Sequence, residues 1–112
     1  MVKTVRIGSL DYEVNISDTL SQKNDLAGRI CYTSCVIDLD ASSAPQRQYA
    51  VLFHEILHGI FSDSRLSETL DKDPALQEDI IEVMAHGILG VIRDNPDLVR
   101  EIRELWDNGG TE

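Results

Sequence analysis

The chain has 112 residues, 42% of them hydrophobic and 27% charged, a globular composition of a size that fits one domain. Its formal charge of −10 repels phosphate backbones and argues against a nucleic-acid partner. No apolar run reaches the roughly 18 residues of a membrane span, and the opening MVKTVRIGSLDYEV lacks the apolar stretch of a signal peptide, so the expectation is a soluble cytoplasmic protein with no membrane partner.

Residues 2–7 (VKTVRI) and 12–16 (YEVNI) alternate as two strands joined through Gly8, Ser9 and Asp11. Residues 17–27 are polar and read as a loop with room for one helical turn. A second hairpin follows, GRICY at 28–32 and CVIDLD at 35–40. In the second of these strands, Asp38 and Asp40 alternate against Val36, Ile37 and Leu39. Cys31 and Cys35 flank the tight turn. Two cysteines do not make a disulfide framework, and their spacing is unlike a C-x2-C zinc knuckle.

SSAPQ marks a helix start, with Ser43 as N-cap, Pro45 in the first turn and Gln46 at the capping-box position. That helix runs from about 44 to 62. Residues 63–74 are polar and acidic. A second helix spans about 75–94, and Asn95 and Pro96 open a third, about 96–107, with Leu98, Val99, Ile102, Leu105 and Trp106 on its apolar side. Strands first and helices after predict an α+β domain over 1–112: a small, mainly antiparallel sheet packed on a helical pair, with a short C-terminal helix. The acid concentrates late, with thirteen Asp/Glu against five Lys/Arg in residues 63–112. Such a surface attracts metal cations and basic peptide segments.

The first helix carries VLFHEILHGI at 51–60. His54 and His58, four apart, share a helical face and can both reach one zinc ion, while Glu55 points off that seam and can hold water as a general base. The motif is framed by uncharged residues, and two of the chain's three histidines lie in it. A third ligand is needed. The metzincin continuation would place Gly at 61 and His at 64, but Phe61 and Ser64 stand there, which excludes that class.

The next helix supplies candidates. In IIEVMAHGILGVI, residues 80–92, Glu82 and His86 are the ionisable positions. Apolar residues occupy most of the circumference, so the helix should be largely buried, and a buried carboxylate needs a partner such as a metal. Glu82 ranks first as third ligand. His86, one turn on, ranks next or serves as a support for the ligands, and Glu78 or Asp79 come behind.

HEILH followed by a helix bearing Glu-x-x-x-Asn or Glu-x-x-x-Asp is the gluzincin arrangement. Over roughly residues 28–90 the chain resembles the small gluzincin metallopeptidases of phages and mobile elements related to the ImmA/IrrE type, and it is similar in size to minigluzincins. The resemblance implies a zincin-like fold, with His54, His58 and Glu82 as zinc ligands and Glu55 as base. It also implies hydrolysis of a peptide or protein substrate. The chain departs from the pattern at His86, where the family carries Asn or Asp.

An oxyanion stabiliser would come from Tyr12, Tyr32 or Tyr49, and residues 35–40 would form the sheet edge that receives substrate. Iron or manganese also suits a two-histidine, one-carboxylate site, with zinc ranked first. Two alternatives stand beside the peptidase: a catalytically silent, zinc-stabilised binding module, and a latent enzyme plugged by its own C-terminal segment through Trp106 or the tail carboxylate.

Overall fold

The computed structural model describes residues 1–20 and 26–108. The helical turn expected near residues 17–27 and the loose tail at 109–112 lie outside the described residues. Four strands, β1 (Thr4–Ile7), β2 (Leu10–Ser17), β3 (Gly28–Cys31) and β4 (Val36–Asp40), precede the helices α1 (Pro45–Ser62), α2 (Leu66–Leu70), α3 (Pro74–Asp94) and α4 (Pro96–Asp107). The strands-then-helices order makes this an α+β domain, as expected. Among the described residues, no helix is long and apolar enough to cross a membrane.

The sheet is mixed, which corrects the mainly antiparallel expectation. Its order is β1-β2-β4-β3. The outer pairs, β1 with β2 and β3 with β4, are antiparallel, but the central pair β2–β4 is parallel, with Val14 opposite Ile37 and Ile16 opposite Leu39. Burial explains the order. Ile37 and Leu39 are completely buried, so β4 takes the interior position, and the weaker strand GRIC is left at the edge. Hairpin return then forces β4 to run alongside β2. Cys35, with φ 56°, closes the tight turn, and both cysteines are free thiols on its flanks.

Helix α1 is the central layer. One side packs through Leu52, Val51 and Ile56 on Ile7, Tyr12, Val14, Ile37 and Leu39 of the sheet. The other side places Leu57 and Phe61 against Leu70, Ile81 and Ala85 of α2 and α3. The approach to the sheet depends on two glycines. A Cβ on Gly28 would lie 2.5 Å from Val51 Cγ1, and one on Gly59 would lie 2.9 Å from Ile7 Cδ1, so the helix and strands meet where side chains are missing.

The start of α1 differs from the expected capping box. Ala44 is the N-cap, without a side-chain bond. The Ser43 hydroxyl donates instead to Asp40, which also accepts from the Ser42 hydroxyl and backbone N–H at 2.7 and 3.1 Å. Asp40, expected on a polar face, is thus buried at the end of β4 as a brace for the entry to α1. The segment 63–74 contains the short α2, whose Leu70 seals the second core. α3 is also a correction. It is apolar nearly all round but only Ile81 and Ala85 are buried, because α1 covers one of its faces and nothing among the described residues covers another.

Candidate metal centre

His54 and His58 project from adjacent turns of α1 toward α3, with their Nε2 atoms 3.2 Å apart. Glu78, in the first half of α3, reaches both: Oε2 lies 3.1 Å from His54 Nε2 and Oε1 lies 2.8 Å from His58 Nε2. These three side chains form a group whose donor atoms lie within 4.8 Å of one another. The donor set fits a metal ion. Ligands about 2.0–2.1 Å from a tetrahedral ion are about 3.3 Å from each other, close to the observed spacings.

Glu82, the expected third ligand, takes a different position. Its Oε2 accepts from His54 Nδ1 at 2.8 Å and its Oε1 pairs with His86 Nε2 at 2.7 Å. A proton on Nδ1 leaves the His54 Nε2 lone pair directed at the shared point. Glu82 is therefore placed to orient a ligand, and His86 to brace Glu82, as the support role allowed for His86. Glu78, ranked behind both in the sequence, is the carboxylate that meets the two Nε2 atoms. Asp79 is not among the three grouped side chains. The signal for Glu78 was its position four residues before Glu82: on a helix the pair shares a face, so the frame is Glu78-x-x-x-Glu82, with an acid at the fourth place.

Electrostatics separate the roles. Burial lowers the His58 pKa, helped by the charge of His54 and opposed by Glu78, which favours the neutral imidazole a metal requires. Burial works against ionisation of Glu82, but hydrogen bonds from His86 and His54 and their charges outweigh it and keep its pKa below the usual carboxylate value. Glu55 behaves oppositely. It is 8% exposed, and burial, with a contribution from Glu78 and against the pull of His54, raises its pKa to about 7.

A cleft of about 330 Å³ opens beside these groups, lined by Ala27, Gly28, Arg47, Ala50, Val51, His54, Glu55, Glu82 and His86. Its strand wall is the start of β3, one of the two edge strands of the sheet. Residues 35–40, expected to be that edge, form the interior strand β4. Of the three tyrosines, Tyr12 is in the core and Tyr49 lines a separate cavity. Tyr32 donates to the His58 carbonyl oxygen at 3.4 Å, and burial followed by the nearby charge of Glu55 raises its pKa. Among the described residues, none of α4, Trp106 included, lines the cleft.

Comparisons with family models, curated proteins and solved structures gave no match. The site therefore rests on its own chemistry.

Proposed function

We propose that this protein is a zinc-dependent metallopeptidase of gluzincin type, in which His54, His58 and Glu78 hold the ion and Glu55 activates water. The observation that carries the reading is the convergence of two Nε2 atoms and one carboxylate from two helices, beside a buried glutamate whose pKa is raised to about 7. When bound, zinc would supply Lewis-acid polarisation of the scissile carbonyl and acidification of water.

The chain's own residues account for the remaining steps. Glu55 takes the proton from the attacking water and returns it to the leaving amine, a role suited to a carboxylate whose pKa lies near neutrality. Glu82 fixes the tautomer and the ring orientation of His54. Tyr32, beside His58, is the tyrosine best situated to stabilise developing oxyanion charge. As an edge strand beside the cleft, β3 would offer backbone groups to an extended peptide. The frame Glu78-x-x-x-Glu82 also brings the chain closer to the Glu-x-x-x-acid pattern of the resemblance than the choice of Glu82 as ligand did.

The test compares the parent with Glu55→Gln on a fluorogenic peptide library, with zinc measured on both. Cleavage by the parent, lost in Glu55→Gln at unchanged zinc content, supports the proposal. Equal cleavage by both removes Glu55 from the chemistry. Retained zinc with no cleavage by the parent leaves the zinc-stabilised binding module.

A further inference from the structure

Arg47 stands in the first turn of α1, and His54 follows further along the same helix. The interval between them is close to two full turns, so both side chains leave one face of the helix, about 10 Å apart along its axis. Both line the cleft, and among the described residues Arg47 is the only Lys or Arg that does.

A structural role does not account for this arginine. It is exposed, and among the described residues its side chain has no ion-pair or hydrogen-bond partner, although the chain carries 20 Asp/Glu against 10 Lys/Arg. Arg6, Arg29, Arg93, Arg100 and Arg103, by contrast, each meet a carboxylate at 2.7 to 3.1 Å. No acid shares the first turn of α1, where a cation opposes the helix dipole. The carboxylates of the cleft are engaged elsewhere: Glu82 by His54 and His86, and Glu55 by burial. The guanidinium is therefore free to meet an incoming group.

The chemistry of that group follows from the donor. A guanidinium presents a planar fork of N–H groups that a carboxylate fills through two parallel hydrogen bonds. Ala27, Gly28 and Ala50 also line the cleft, and their small side chains leave room for a peptide main chain. An extended peptide advances about 3.3 Å per residue, so the 10 Å between Arg47 and His54 corresponds to about three residues.

We infer that Arg47 selects the substrate by binding a carboxylate carried about three residues from the scissile bond. The inference rests on reading the cleft as a peptide site, and it names the substrate class as peptides with an acidic side chain or a free C-terminal carboxylate at that distance. The probes are dye-labelled decapeptide libraries with Glu, Gln or Lys fixed at successive positions, each made with a free and with an amidated C-terminus. Binding is read by fluorescence anisotropy on the zinc-loaded Glu55→Gln chain, which holds peptide without cleaving it.

A carboxylate library should bind about tenfold more tightly than its neutral counterpart, with the advantage shrinking as salt is raised. Preference for Glu over Gln at one position assigns the acidic side chain; preference for the free over the amidated terminus assigns the chain end. Adding Arg47→Gln should abolish the preference, and adding Arg47→Glu should transfer it to the Lys library, a gain that misfolding cannot produce. Equal binding of the Glu, Gln, free and amidated libraries overturns the inference and leaves the peptidase reading standing. So does a preference that survives Arg47→Gln at unchanged zinc content. Binding of no library overturns both. A carboxylate preference that depends on Arg47, with no cleavage by the parent, supports the inference and removes the peptidase reading alone.

Discussion

Replacing Glu78 and Glu82 separately by Ala distinguishes a ligand from its support. Glu78 touches Nε2 of both histidines, at 3.1 and 2.8 Å, whereas Glu82 touches Nδ1 of His54 and Nε2 of His86. Structural zinc sites bind with about 10–16 kcal/mol over four ligands, so one ligand carries about 3–4 kcal/mol, or about two to three orders of magnitude in affinity. Loss of an outer support typically costs 10–100-fold. Glu78→Ala should therefore raise the apparent zinc Kd about 10²–10³-fold, and Glu82→Ala about 10–100-fold. Glu82→Gln, which keeps a carbonyl oxygen for Nδ1–H, should recover most of that smaller loss. The assay is competition with a chromophoric chelator at fixed pH near 7.5, where His58 is neutral. The reverse ranking, with Glu82→Ala abolishing binding and Glu78→Ala nearly silent, would make Glu82 the ligand and refute the geometric argument. Two unchanged affinities would remove α3 from the site altogether.

Other expectations concern stability and chemistry. Because burial raises the Glu55 pKa from 4.5 to about 7, the folded metal-free chain holds a proton there that the unfolded chain releases. Stability should then fall by roughly 3 kcal/mol as pH rises across that window, and the Glu55→Gln variant should lack this slope in urea titrations. Gly28→Ala, whose Cβ would meet Val51 Cγ1 at 2.5 Å and the Asp38 carbonyl oxygen at 3.2 Å, should cost about 1–3 kcal/mol and lower Tm by at least about 4 °C. Asp40→Ala should cost about 2–3 kcal/mol in the same assay, since three donors from Ser42 and Ser43 lose a buried acceptor. Tyr32→Phe should leave zinc affinity unchanged and lower kcat about 100-fold, and an unchanged kcat would remove Tyr32 from the reaction.

Alternation and capping signals are local, and they made the strands and the three long helices legible to within a few residues. Strand order is not local. It is decided by which strand buries more surface, and the complete burial of Ile37 and Leu39 becomes visible only once α1 lies across the sheet. Asp40 shows the same limit. Period-two alternation assigns it to the polar face, but the end of a strand that feeds directly into a helix turns inward, and two neighbouring serines make its burial tolerable.

The two histidines were legible because both lie on one rigid turn, where spacing alone sets geometry. The third donor comes from another helix, and its identity depends on how far α3 is shifted along α1. One helical turn moves a side chain about 5.4 Å, the difference between Glu78 and Glu82. The argument that favoured Glu82 assumed a buried α3, where a lone carboxylate would demand a cation. α3 is instead half uncovered, so that demand never arises, and the carboxylate nearer the turn from α2 reaches both Nε2 atoms.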